Sequence, residues 1–331
     1  MHFSKKVNQL SEIINEQLFA IINKNGEVKK CVYLGLPYYT NIGDVLIWQG
    51  TECFLKRIEM ECLYRASPST YSEKRIWKII NKRDNLSCEV LFFLQGGGNF
   101  GDLWEEQQNF RRKIINDFPN NPIIILPQTV FYDDTDKMKM DVELFAKHKK
   151  LIICARENKS YEVLKENFHN KIILVPDMAF CIPSNGLKKF QSKPKKRVLF
   201  LKRNDKELND TVNYLEIISE TKIDICDWPS MEKRKISSFF LWRFMWATSI
   251  VPNLFSKLTD IYAYYFFRYD MIKIGIKFLS EYKKIYTTRL HVAILCCLME
   301  KPYLFFDNSY GKNKSFFETW LSDLDTAKFL R

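Results

Sequence analysis

The chain has 331 residues, 46% of them hydrophobic and 27% charged, with a formal net charge of +12 at pH 7. That length exceeds one ordinary core and suits two domains of about 150 residues each in a globular protein. The positive balance draws anionic partners, but the basic residues are scattered and form no RNA-recognition, zinc-finger or basic-zipper signature, so nucleic acid is not an expected partner.

The opening "MHFSKKVNQLSEIINEQLFAIINKNGEVKK" has no apolar core before a small-residue cleavage site and does not read as a signal peptide. Leu10, Ile13, Ile14, Leu18, Ile21 and Ile22 repeat at helical spacing and predict an amphipathic helix packed on a domain. "CVYLGLPYYTNIGDVLIWQGTECFLKRI" follows as a strand over 31–36, a loop and a helix over 43–57. Gly43 and Asp44 open that helix, with Asn41 or Thr40 as its N-cap. Asp44 either stabilises the first turn through the helix dipole or, at a strand's carboxyl end, serves as base toward a bound hydroxyl.

"EVLFFLQGGGNFGDLW" repeats the arrangement, a strand over 89–94 and then a glycine loop of Gly96, Gly97, Gly98 and Asn99. Gly96, Gly98 and Gly101 match G-x-G-x-x-G, yet the next strand, "IIILPQ", offers no acid for a ribose, and no Lys-Ser/Thr pair makes a Walker loop. What remains is a backbone that a ligand or another chain segment can approach closely. "NPIIILPQTV", "KLIICARENKSYEVLKEN" and "KIILVPDMAF" are further apolar strands emptying into polar loops. Arg156 beside Glu157 reads as a surface ion pair or as a cleft guanidinium that forks a carboxylate or phosphate; Asp177 reads as a cap. Continuous apolar strands alternating with helices predict an α/β fold with parallel sheets covered on both faces and ligands at the strands' carboxyl ends.

Residues 184–197, "SNGLKKFQSKPKKR", lose apolar periodicity and predict a basic linker between an N-terminal domain, 1–183, and a second α/β unit, 198–311. Within the second unit, 237–279 is an insertion crowded with Phe, Trp and Tyr and punctuated by Arg243, Lys257 and Arg268. Arg243 and Pro252 interrupt any membrane span, which leaves a core helix pair or a surface that dips into lipid headgroups. The end, 312–331, reads as a last helix packing back across the domains.

"YTTRLHVAILCCLMEKPYLFFD" predicts a strand over 283–286, a helix over 289–299 and a strand over 303–307. Arg289 and His291 then stand in a helix's first turn, where positive side chains oppose the dipole and call for a compensating anion. With the free backbone N–H groups they make a pocket for phosphate and carboxylate; the plainer reading is a histidine satisfied by packing.

Nine cysteines, at 31, 53, 62, 88, 154, 181, 226, 296 and 297, form no C-x-x-C pair and suit the reduced thiols of a cytoplasmic protein. His2, His148, His169 and His291 lie far apart without ligand spacing, so no metal site is expected.

"NIGDVLIWQG", "GGGNFGDLW", "LPQT", "CARE…SYE", "PDMAF" and "TTRLHVAILCCLMEKPYLFFDNSYGKN" occur in the order found in the polysaccharide pyruvyl transferases, which the chain resembles from about residue 32 to 318. The resemblance implies a glycosyltransferase-B-like architecture, two Rossmann-like domains facing across a cleft. It further implies transfer of a pyruvyl group from phosphoenolpyruvate to two sugar hydroxyls of a glycan or lipid-linked precursor on the cytoplasmic membrane face, giving a cyclic ketal and phosphate. Phosphoenolpyruvate would be held by Arg156, Arg289, the Leu290 backbone and His291, with Lys312 downstream at the cleft. His291 would be acid or phosphate contact, Asp44 or Asp102 the base, and neither cofactor nor metal is needed. The expected location is cytoplasmic, with peripheral contact to an anionic inner membrane face. A nucleotide-sugar glycosyltransferase and a catalytically degenerate scaffold of the same pathway are the competing classes; the R-L-H and A-R-E elements argue against the first.

Overall fold

The computed structural model describes residues 1–24, 29–82, 90–209, 212–218, 222–233 and 235–330. Its strands form two sheets in which all the pairings are parallel. The first contains β1 (Lys30–Leu34), β2 (Glu61–Ala66), β3 (Val90–Leu94), β4 (Gly97–Gly101), β5 (Ile123–Phe131), β6 (Leu151–Ala155) and β7 (Lys171–Leu174), ordered β2-β1-β3-β5-β6-β7 with β4 on the distal half of β5. The second contains β8 (Lys196–Leu201), β9 (Asp224–Cys226), β10 (Tyr282–Thr287), β11 (Tyr303–Phe306) and β12 (Ala327–Leu330), ordered β12-β11-β10-β8-β9. Strands such as β3, VLFFL, and β6, LIICA, are buried at every position, as expected where helices cover both faces of a parallel sheet.

Three expectations change. The glycine segment is not a loop: Gly97–Gly101 is a strand, and Gly97 (φ +145°) and Gly101 (φ +116°) adopt backbone angles that other residues rarely take. The C-terminal segment is not one helix. A short helix Lys312–Phe316 and a π-helical turn Phe317–Leu321 give way to β12, which extends the second sheet beside β11. The basic 184–197 stretch holds a helical turn, Ser184–Lys188, and runs into β8 at Lys196. Of the expected strand 89–94, residue 89 lies outside the described residues, as does Cys88.

The amphipathic N-terminal helix is Phe3–Lys24, with Leu10, Ile14, Leu18, Ile21 and Ile22 buried. Phe3 stacks on Tyr303 of β11, and Lys6 pairs with Asp323 at 2.8 Å, so this helix is fastened to the second sheet's surroundings. A single apolar cluster joins it to the helices Ile42–Arg57 and Leu290–Leu298 and to strands of both sheets. Two close approaches set the Ile42–Arg57 helix. A Cβ on Gly275 would lie 2.9 Å from Ile42 Cγ2, and one on Gly43 would lie 2.6 Å from His291 Nδ1.

The aromatic insertion is helical: Ile236–Ile250, Pro252–Tyr262, a π-helical turn Ala263–Phe267 and Arg268–Ser280. Leu241, Ala263, Phe267, Met271 and Ile276 bury into the shared core, whereas Trp246, Tyr265 and Phe266 are exposed. Thr248 and Thr259 share a hydroxyl hydrogen bond of 2.9 Å between the first two helices. Among the described residues no helix is long and apolar enough to cross a membrane.

Candidate active site

Residues that follow β1, β4, β6, β8, β9, β10 and β11, most of them polar, converge on one cavity of about 640 Å³. The first sheet contributes Tyr39, Asn41, Asp44, Gly98, Asn99, Asp102 and Arg156, and the second contributes Arg203, Asp205, Glu207, Arg289, Leu290, His291 and Lys312. Carboxyl ends of parallel strands expose unfinished backbone and loop side chains, which is why both sheets place their chemistry there.

Asn41 is the N-cap of the Ile42–Arg57 helix and accepts from the Gly43 N–H at 3.0 Å. Its amide donates to Asp44 Oδ2 at 2.8 Å, and Tyr39 donates to the same oxygen at 3.0 Å. Asp102, the other candidate base, has another engagement. Its carboxylate accepts the N–H groups of Asp133 (2.9 Å) and Asp134 (2.7 Å) and holds the turn after β5.

Arg156 is not a surface ion pair. It is buried with Glu157, donates from Nε to Thr129 at 2.8 Å and from Nη1 to Asp177 at 3.0 Å, and reaches the cavity. Asp177 does cap, accepting the Ala179 N–H, but the same carboxylate also takes His291 Nε2 at 3.3 Å. Burial alone would push the Asp177 carboxyl up; His291 and Arg156 outweigh it and hold it at about 2. Gly98 lies over the neighbouring cations, since a Cβ there would be 3.0 Å from Arg156 Nη2 and 3.1 Å from Lys312 Nζ. Gly96 and Gly97 line no part of the cavity: a Cβ on Gly96 would meet the Pro127 carbonyl oxygen at 2.8 Å, which makes it a packing glycine.

Arg289 is the N-cap of the Leu290–Leu298 helix, and His291 is in its first turn. Protein carboxylates meet part of the unfavourable charge at this helix end. Arg289 forks Asp227 through Nε and Nη2, and Nη2 also reaches Asp205 at 3.1 Å. Asp205 in turn bonds Arg203 at 2.7 Å, and Arg203 bonds Glu207 at 2.7 Å. Glu207 pairs with Lys312. Burial opposes ionisation of Glu207, but Lys312 and Arg203 outweigh it and keep the carboxyl well below its ordinary range. Burial pulls the Lys312 ammonium down to about 8, a fall that Glu207 resists and that Arg203 and Arg156 reinforce.

Arg203, Asp205, Glu207 and Asp227 were not singled out from the sequence. A signal was available for the first three: "VLFLKRNDKE" puts them just past a strand, the same placement that marked Arg156 and Arg289. A cavity with four buried cations from two parallel sheets, bordered by Asp44 and the aromatic side chains of Tyr39 and Trp104, defines a class: an α/β protein with a cation-rich cleft at the carboxyl ends of its strands.

Comparison with known proteins gives that class its family. The family model for polysaccharide pyruvyl transferase matches residues 41–310, and the chain belongs to this family. It is 31% identical over 325 residues to the Bacillus subtilis (strain 168) protein named "Putative pyruvyl transferase EpsO", covering 95% of this chain and 91% of that one. It is 27% identical over 308 residues to pyruvyl transferase 1 of Schizosaccharomyces pombe, covering 89% and 70%. In fold it is similar to the crystal structure of an uncharacterised protein from Klebsiella pneumoniae subsp. pneumoniae NTUH-K2044, with a TM-score of 0.61, 22% identity, and 96% and 98% of the two chains covered.

Proposed function

We propose that the chain transfers a pyruvyl group from phosphoenolpyruvate to two hydroxyls of a sugar in a surface polysaccharide or its lipid-linked precursor, forming a cyclic ketal and releasing phosphate. On this reading domains 1–183 and 198–311 face each other in a glycosyltransferase-B-like cleft, and the enzyme works in the cytoplasm at the inner membrane face. The family and the names of the relatives support pyruvyl transfer. The observation that carries the donor is the convergence of Arg156, Arg203, Arg289 and Lys312 on one cavity. A molecule with a carboxylate at one end and a phosphate at the other needs separate guanidinium and ammonium partners, and phosphoenolpyruvate is such a molecule.

The carboxylates beside these cations fix their planes and so prepare them for a second anion. One sugar hydroxyl oxygen bonds to C2 of the enol while a proton reaches the methylene carbon, which becomes the methyl group. The hydroxyl's own proton passes to a base. The second hydroxyl oxygen then replaces phosphate at C2, and its proton leaves with base or phosphate. The sequence is redox-neutral and takes no cofactor. His291 is the acid or a phosphate contact, oriented through Asp177. Asp44 is the better-placed base, because both Asp102 oxygens accept backbone N–H groups, whereas the bonds from Tyr39 and Asn41 fall on Asp44 Oδ2. The Leu290 backbone at the helix start and Asn99 complete the donor end and the cleft wall.

Mass spectrometry of the surface glycan from cells with and without the protein tests the reaction. Loss of one anhydro-pyruvyl increment per repeat is expected; an unchanged repeat mass would contradict it.

A further inference from the structure

Twelve of the eighteen large hydrophobic side chains exposed among the described residues lie between Ile236 and Tyr269. They are ordered. Ile236, Phe239, Trp246 and Ile250 recur with Arg243 at three- and four-residue steps along one helix, and Leu258 and Ile261 do so along the next, with Tyr265 in the π-helical turn that continues it. The Ile236–Ile250 helix, ISSFFLWRFMWATSI, is apolar nearly all round, a composition that ordinarily belongs inside a core or against lipid. So large an aromatic surface marks a site of association.

The charges indicate what covers it. Residues 232–270 contain six Lys or Arg and three acids, of which Asp260 is buried and Asp270 bonds Ser237. Lys233, Arg243 and Lys257 are exposed, and the Arg243 guanidinium lies 5.4 Å from the centroid of Trp246. A second copy would bring two positive faces together. An anionic bilayer instead satisfies both components, with Trp and Tyr at the headgroup level and Lys and Arg against lipid phosphates. The surface is also continuous with the site. A groove of about 350 Å³ runs between Trp242 and Met245 on this segment and Tyr38, Tyr39 and Thr40, and it shares Tyr39 and Met231 with the active cavity. Tyr38 donates to Asp260 at 3.0 Å and Tyr39 to Asp44 at 3.0 Å, so one short loop touches both.

We propose that the 236–269 helical segment is a docking surface that seats in the headgroup layer of an anionic phospholipid bilayer and brings the mouth of the cavity to that surface. This deepens the proposed reaction by naming the partner surface, and rests on it only for what the bilayer delivers.

The test is co-sedimentation of the full chain with phosphatidylcholine vesicles with and without phosphatidylglycerol, alongside calorimetric titration with phosphoenolpyruvate. Binding to the phosphatidylglycerol vesicles is expected, weakened about tenfold or more on pure phosphatidylcholine, in Phe240→Ala/Trp246→Ala/Phe266→Ala and in Arg243→Glu/Lys257→Glu. Phosphoenolpyruvate binding should be the same in all three proteins, which also shows that the variants fold. A wild-type chain that stays in solution with phosphatidylglycerol vesicles overturns the docking surface. So do variants that bind like wild type, or a wild-type dimer that the aromatic variant converts to monomer without any vesicle binding. Vesicle binding without phosphoenolpyruvate binding leaves the docking surface standing and counts against the reaction instead.

Discussion

Gly43 and His291 touch across the two halves of the molecule: a β-carbon on residue 43 would lie 2.6 Å from the imidazole Nδ1 and 2.9 Å from the histidine Cβ. No rotamer change moves the histidine Cβ, so the second contact can be relieved only by backbone movement. Gly43→Ala should therefore push the Ile42–Arg57 and Leu290–Leu298 helices apart, even though alanine is the better helix former. The expected cost is about 1–3 kcal/mol in urea unfolding. The larger effect is on turnover, which should fall about 100-fold as the imidazole leaves its position.

Asp177 holds Arg156 and His291 on one buried carboxylate. Asp177→Asn leaves the buried Arg156 guanidinium without this counter-charge and should destabilise the protein by about 3–5 kcal/mol. The pH dependence has a definite sign. The folded carboxyl, held at about 2, stays ionised where the unfolded chain has begun to protonate. Its contribution of about 2 kcal/mol is complete above pH ~4 and disappears as pH falls toward 2. Chemical unfolding at pH 6, 4 and 2.5 should show that loss in the wild type, and the Asn variant should lack this component.

Asp260 has the opposite sign. Burial raises its carboxyl to about 7, although Tyr38 donates to one oxygen and Arg75 lies 3.8 Å from the other. Below pH ~4 the folded and unfolded chains are both protonated there. Between 4 and 7 only the unfolded chain ionises, so stability declines with rising pH until the folded carboxyl also titrates. Asp260→Asn keeps an acceptor for Tyr38 and should stabilise the protein on the order of 2–4 kcal/mol at pH 8. At pH 4 the melting temperatures of the two proteins should be about equal.

Lys312, with its ammonium drawn down to about 8, should give donor binding an alkaline limb. Phosphoenolpyruvate affinity is expected to fall as pH rises through 8, because the ammonium loses the charge that meets an anion. Lys312→Met should weaken binding about tenfold or more at pH 7 and flatten that limb. A limb unchanged in the variant would assign it to another group.

What could be read in the sequence was whatever follows a strong apolar run. Asn41, Asp44, Arg156, Arg289 and His291 each stand after such a run, and all five line the cavity. Asp227 follows β9, whose Asp224 and Ile225 are exposed, so the strand had little periodicity to announce it. The Gly97–Gly101 strand defies glycine's poor strand propensity because β5 is long enough to pair it at Gln128–Phe131. β12, AKFL, is too short to announce itself and forms only because β11 offers an edge. The pairing of Asp102 with residues 133 and 134, and of Arg289 with Asp205 and Asp227, joins distant parts of the chain. Spacing within a single sequence cannot express such pairings.

Calorimetric titration with phosphoenolpyruvate, on the wild-type chain and on Arg289→Lys and Lys312→Met variants whose circular dichroism matches it, tests the central claim most directly. Saturable binding is expected in the wild type and a loss of about tenfold or more in each variant. No binding by the folded wild-type chain, or equal binding by all three proteins, would contradict the assignment of these cations to the donor.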